Sequence, residues 1–261
     1  MPELTTSTFL YFNDRALSLQ EICGQMLLFG KLQPFLRELA SQQVILQEIN
    51  RRDDLEVDST DLMQAIMDFR LQSQLTDQAQ FAAWLASEHQ DNAIFQQWVL
   101  LELKLKKLKA LIAAPDLPAY FEQHQVALAE LQLTSVVLSD EAAAHALKTQ
   151  IANSEDWQQL VTTYAASHEQ LQVQTGTQRV QRRALPVELQ APFTSVTPGD
   201  VVGPINLQGA WCLFRVDEIT PAELDAPTQQ QLEDQLFSQW LVQQLSTVQI
   251  SLDAPLKAES Q

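Results

Sequence analysis

The chain has 261 residues, 16 of them lysine or arginine and 33 aspartate or glutamate, for a formal net charge of −17. This length supplies one large hydrophobic core or two small ones. The acid is spread along the chain as on a solvated surface, and it excludes nucleic acid and anionic membrane surfaces as partners, since cations bind both.

The N-terminal M-P-E-L-T-T-S-T-F-L-Y-F has an acid where a secretory signal carries lysine or arginine. No apolar run is long enough to cross a bilayer, so a cytoplasmic protein is expected. Only six glycines and three tyrosines, against abundant Leu, Ala and Gln, indicate a mostly helical protein. The two cysteines, Cys23 and Cys212, lie far apart in apolar surroundings and read as buried thiols in a reducing compartment.

Ser18-Leu19-Gln20-Glu21 is a capping box. The helix it starts carries Leu19, Ile22, Met26 and Phe29 at helical spacing and breaks at Gly30. A second helix, about 32–50, is expected to bury Phe35, Leu36, Leu39, Leu46 and Ile49. A charged turn over 51–58 leads to a third helix after Ser59 or Thr60, with Leu62, Ile66, Phe69 and Leu75 on its stripe. A short fourth helix from Thr76 holds Phe81, Trp84 and Leu85. The fifth, 92–113, places Ile94, Trp98, Leu101, Leu105, Leu108 and Ile112 at alternating spacings of four and three. That seam reads as the core face of a small bundle, because zippers sustain more heptads. Lys104, Lys106, Lys107 and Lys109 flank it as a solvated face offsetting neighbouring carboxylates.

Pro115 and Pro118 punctuate the chain, with Pro118 in the first turn of a helix through His124. The period then changes. Leu131 to Leu138 reads as a strand, Asp140 caps a helix to about Ala152, and Ser154 caps another through Ala165. A short helix follows Pro186, and Pro198-Gly199 makes a turn. Val201 to Ile205 is a strand meeting Pro204, which marks an edge or end. After a turn at Gly209, Trp211 to Ile219 is another strand, with Cys212, Phe214 and Val216 on one face and Trp211, Leu213 and Arg215 on the other. Pro221 and Pro227 form a linker to a last amphipathic helix, 228–248, with Leu232, Leu236, Trp240, Leu241 and Leu245 inward. The fold class is therefore α+β. Residues 1–130 form a helical lobe, 131–220 an inserted β-α-α-β-β domain, and 221–261 a linker and a helix whose apolar face packs back on the lobe.

Residues 134–220 resemble a parvulin-type peptidyl-prolyl isomerase domain. The family's closing pattern, roughly F-x-L-x-P-G-E-V-S-G-P-V-x-T-x-x-G-Y-H-I-I-x-V, is met here by Phe193, Val196, Pro198-Gly199-Asp200, Val202-Gly203-Pro204-Ile205, Gly209 and Val216. Phe193 sits one residue further from the turn than the pattern has it. The opening H-I-L-V-x-D-E-x-x-A and the later A-x-x-Y-S correspond to Ser135 through Ala142 and to Leu160 through Ala165. The whole order is similar to the SurA- and PrsA-type foldases, whose helical lobe gathers sequence from both sides of such a domain.

The resemblance implies an apolar site for a prolyl ring above two hydrogen-bonded histidines. Ser135 and Trp211 stand at the matching positions, so both imidazoles are replaced. The four histidines, His89, His124, His145 and His168, show no metal-ligand spacing. Of these, His168 follows Tyr164-Ala165, near where the family often has an acidic or cysteine residue, and is kept as a candidate. Leu189 and Phe193 are expected to line the pocket with Trp211 across from them, Phe193 as the prolyl-stacking aromatic. Arg179, Arg182 and Arg183 form a cation cluster on its rim, suited either to solvent or to an acidic peptide or a C-terminal carboxylate. No metal, cofactor or phosphate-binding motif is present in the sequence.

Isomerising a prolyl bond needs no covalent step. It lowers a barrier of about 18–20 kcal/mol by holding the twisted amide better than the planar one. Three readings stay open: a foldase with weak isomerase activity on unfolded or proline-containing peptides, a pseudo-isomerase that binds client or leader peptides, and a helical scaffold whose insert has lost ligand binding.

Overall fold

The computed structural model describes residues 8–152, 157–167 and 174–251. The expected Ser154 cap and His168 lie outside these residues. The chain divides into two compact units, Met1–Leu117 with Gln230–Gln261 and Pro118–Gln229, so its crossings fall at 117/118 and 229/230 instead of 130/131 and 220/221. None of the described helices is long and apolar enough to cross a membrane.

The first unit begins with a hairpin that the periodicity did not reveal. Strands β1 (Thr8–Phe12) and β2 (Arg15–Ser18) pair antiparallel around Asn13-Asp14. Asn13 takes φ +52°, a conformation asparagine tolerates in tight turns. Helix α1 (Leu19–Leu28) starts at the capping box, where the Glu21 N–H donates to Ser18 Oγ at 3.3 Å and the Ser18 N–H to Glu21 Oε2 at 2.7 Å. It ends as expected at Gly30, φ +66°, with the Lys31 N–H returning to the Met26 carbonyl.

Helices α2 (Leu32–Arg51), α3 (Ser59–Gln72), α4 (Gln78–Ser87) and α5 (Asn92–Ala113) follow. The last three are capped by Asp58, Asp77 and Asp91, whose carboxylates each accept an N–H of the first turn. Two cores form. One joins Phe81, Leu85, Phe95 and Val99 with Leu62, Ile66, Phe69 and Trp84. Its rings sit at favourable tilts, Phe81 to Phe95 at 5.1 Å and Phe69 to Phe95 at 5.2 Å. The other joins Ile49, Leu55 and Leu108 with Leu101, Leu105 and Ile112, and with Phe237, Trp240 and Leu241 of α10 (Ala226–Leu245).

Two expected stripes need correction. On α5 the seam holds from Leu101 onward, but its first two turns bury Phe95 and Val99 and leave Ile94 and Trp98 exposed. The helix serves two cores on different sides, so no single stripe describes it. On α2 the buried positions are Leu32, Ala40 and Ile49, while Phe35 and Leu39 are exposed. The lysines of α5 behave as expected: Lys109 Nζ lies 2.8 Å from Asp234 Oδ1, and Lys107 Nζ donates to the Glu56 carbonyl at 2.7 Å.

The second unit contains α6 (Leu117–Leu128, from Pro118 on), β3 (Glu130–Leu138), α7 (Glu141–Ala152), α8 (Trp157–Ser167), β4 (Gln174–Gln181), a 3-10 turn at Arg182–Ala184, α9 (Val187–Gln190), β5 (Val201–Leu207) and β6 (Ala210–Thr220). The sheet is antiparallel in the order β4-β3-β6-β5. It has one strand more than the sequence indicated. Strand β4, Q-T-G-T-Q-R-V-Q, is an edge whose one large apolar residue, Val180, packs on the Phe193-side core, so it carries no alternation to detect.

Each face of the sheet has its own core. Val136, Leu138 and Leu213 meet Ala144, Leu147 and Ile151 of α7 and Trp157, Val161 and Tyr164 of α8. Asp140 caps α7, accepting the Ala143 N–H at 2.7 Å, and the Tyr164 hydroxyl donates to the Ala143 carbonyl at 3.1 Å. The opposite face is covered by Leu185, Leu189, Phe193 and Val196. Gly203 turns at φ +115°, where an added Cβ would lie 2.5 Å from the Cys212 carbonyl oxygen, so only glycine fits.

Because Phe237 and Trp240 complete a core with Ile49 and Leu108, replacing 118–229 by a flexible Gly/Ser linker is expected to leave a folded helical protein. Circular dichroism should keep a strong helical signal with a cooperative melt, and a molten or aggregated product would refute this assignment of the last helix.

Candidate functional site

The residues singled out in the sequence are divided by the sheet itself. Pairing of β3 with β6 sets Ser135 opposite Phe214, Val136 opposite Leu213 and Val137 opposite Cys212. Alternation then places Leu131, Leu133, Ser135 and Val137 with Cys212, Phe214 and Val216 on one face. Leu189 and Phe193 pack on that face, and the Phe193 ring meets the Phe214 ring edge-on at 5.7 Å.

Trp211 is on the other face. It is half-buried beside the core of α7 and α8 and pairs with Leu138 and Asn206. The expected pocket with Trp211 across from Leu189 and Phe193 is therefore not formed, because the thickness of the sheet separates them. Cys212 shares the Phe193 face with Phe214 and Val216 and was not among the expected site residues, although strand parity already paired it with Phe214.

Phe193 is 0% exposed and Leu189 2% exposed, so in this conformation both are core. Ser135 is half-buried, and its hydroxyl donates to the Gly176 carbonyl of β4 at 3.3 Å. Burial pushes the Cys212 thiol above its usual range, which keeps it protonated and a poor nucleophile. The described residues of this core are apolar apart from the Cys212 thiol. His145 is exposed on α7, while His124 on α6 donates from Nδ1 to the Tyr120 carbonyl at 2.8 Å.

The three arginines separate as well. Arg179 lies on β4, exposed, with Nε 3.1 Å from Gln132 Oε1 and its guanidinium 3.8 Å from Glu218. Arg183 donates to the Gln181 side chain at 3.2 Å. Arg182 alone borders Phe193, donating from Nη1 to the Thr194 carbonyl at 3.4 Å. Its Nε is buried and, among the described residues, is the side-chain nitrogen left without a hydrogen-bond partner. A buried N–H of that kind is costly unless something accepts from it.

The helix-covered face carries a cavity of about 1250 Å³ where α7 and α8 leave the sheet. Its charged groups are mutually committed. Arg215 lies over the Trp157 ring at 5.4 Å and within 2.6 Å of Asp217, which also accepts from Thr134 Oγ1 at 2.6 Å. Lys148, on its wall, donates to the Gly203 carbonyl. Among the described residues no cluster of His, Cys, Asp and Glu is able to hold a metal.

A four-stranded antiparallel sheet with a helical layer packed on each face defines a small α+β domain. Residues 112–229 match the family model described as the PPIC-type PPIase domain, so that segment is similar to the parvulin-type peptidyl-prolyl isomerases. No curated protein matches the sequence. Among solved structures the chain is similar to the peptidylprolyl isomerase PrsA from Bacillus cereus, at 13% identity over 97% of this chain and 96% of that one, with a TM-score of 0.47. It is also similar to a structure described with the SurA-like chaperones PEB4 and Cj1289 of Campylobacter jejuni, at 14% identity over 92% and 96%, with a TM-score of 0.36.

Two outcomes follow from burial. Phe193→Ala is expected to cost about 3–5 kcal/mol in urea unfolding, as for other buried aromatics, and Trp211→Ala clearly less; equal losses would contradict this placement. The Cys212 thiol, protonated more tightly in the folded than in the unfolded chain, makes stability fall as pH rises through the thiol range. A Cys212→Ala variant should flatten that alkaline decline, and native Cys212 should resist alkylation that Cys23 undergoes; an unchanged pH profile with rapid labelling would count against it.

Proposed function

We propose that this chain is a foldase that binds unfolded or proline-containing peptide segments at the Phe193 face of its parvulin-type domain and isomerises them slowly. The observation that supports this most is what stands beneath Phe193. The sheet offers Ser135 and Cys212 there, an alcohol and a protonated thiol, while Trp211, the second residue that the resemblance matches to a histidine, lies on the other face. An apolar floor holds a prolyl ring without histidines, while the polar network that favours the twisted amide is reduced. Arg182 supplies a rim donor, since its buried Nε N–H lacks an acceptor that a peptide carbonyl or carboxylate provides. Because Phe193 has no exposed surface, peptide entry on this reading requires residues 191–200 to lift from the sheet.

The same missing imidazoles support a second reading, a pseudo-isomerase that binds client or leader peptides without turnover. One pair of measurements separates the two, namely prolyl isomerisation and direct binding on the same short peptide panel. The foldase reading expects binding together with a kcat/KM about 10²–10³-fold below that of a parvulin bearing both histidines, the scale of losing preorganised polar groups. Arg182→Ala should lose acidic peptides selectively. Binding with no measurable rate assigns the chain to the second reading, and a rate equal to that of a full parvulin, or no binding at all, refutes the proposal.

A further inference from the structure

We propose that β1 is a self-association edge, and that two copies of this chain pair their β1 strands antiparallel into a four-stranded sheet. All five β1 residues are exposed, with Phe9 64%, Tyr11 70% and Phe12 69% accessible and Leu10 beside them. Both faces of this strand are apolar, and it carries no charged residue, proline or inward lysine, the features that protect natural edges from pairing. Its partner β2 covers one edge, and among the described residues no strand pairs with the other. A two-stranded ribbon is marginal in water, and further strands are what stabilise it.

The occupant that fits is a second copy. Antiparallel pairing of identical strands is related by a two-fold axis, so one contact satisfies both chains and closes the assembly. With aromatic side chains offering about 150–250 Å² each, the exposed β1 residues present about 500 Å² per copy, or about 1000 Å² for the pair, the lower bound for a specific interface. The chain leads from β2 directly into α1, which adds exposed Leu19 at the same end. Charge points the same way. At −17 two copies repel everywhere except across an uncharged strip, and residues 8–12 are such a strip. An association of this kind is driven by apolar burial and opposed by net charge, so salt strengthens it.

The test is the molar mass of the full chain by light scattering and sedimentation, from about 1 to about 100 µM, a range that brackets micromolar dissociation. A dimer is expected, with a dissociation constant that falls severalfold between low salt and about 0.5 M NaCl, where repulsion is screened. Tyr11→Asp and Tyr11→Lys should both be monomeric while melting within a few degrees of the parent. Agreement between variants of opposite charge excludes a net-charge effect. A parent chain that stays monomeric over the whole range overturns the proposal without reference to any variant. So does a dimer that survives both substitutions or weakens with salt. A monomer whose fluorescence from Tyr11 responds to added unfolded client protein also overturns it, and gives this face to clients.

Discussion

Register along β3 and β6 decides the chemistry of the second unit. Side chains alternate with a period of two, so pairing Ser135 with Phe214 puts serine, Cys212 and Phe193 on one side and Trp211, Arg215 and Asp217 on the other. A slip of one residue would exchange the two sets, bringing Arg215 under Phe193 and turning Phe214 toward α7 and α8. The register is held by both cores at once. Leu131, Leu133 and Val216 must meet α9 and its following loop, while Val136, Leu138 and Leu213 must meet α7. A shift between Gln132 and Leu133 absorbs the extra β6 residue, Asp217, which turns to accept from Thr134 and Arg215. Gly203 lets β5 close against Cys212, so the apolar face is sealed on its far side as well.

Much of this was legible in the residues. The span of α5, the capping box before α1, the Gly30 stop and the Asp140 cap were all readable, because a cap is a local hydrogen bond between near neighbours. What escaped depended on partners distant in sequence. Helix α5 serves two cores, so its first half presents Phe95 and Val99 where the seam expected Ile94 and Trp98. Strand β4 has one large apolar residue, Val180, and exists because β3 offers it a ladder. The β1–β2 hairpin had a local signal in Asn13-Asp14 between β-prone residues, and was hidden by the absence of a buried face to alternate with.

The candidate site shows the same division. Ser135 and Phe193 were found by resemblance and do share a face, whereas Trp211 was placed by counting from Gly209, against its own parity. Parity is the stronger argument, because a bulge or a one-residue offset changes the count but not the alternation within β6. The offset already visible at Phe193 warned that counts from fixed motifs were unsafe here. Arg182 was distinguishable from Arg179 and Arg183 only through its contact with Thr194, a tertiary fact that no spacing encodes.

The apolar residues of the Phe193 face answer first to stability. Leu189, Phe193 and Phe214 come from three separate elements and together keep the sheet folded. These residues are therefore maintained by stability whether or not a rate is selected. That duty needs no imidazole, since Ser135 and Cys212 lie on the same face while the surrounding core remains closed. The buried, unpartnered Arg182 Nε runs against that trend. Leaving an N–H desolvated costs about 1–3 kcal/mol in a chain whose other described buried side-chain donors are satisfied, and stability alone gives no reason to keep it. The peptide proposed above would bring the acceptor.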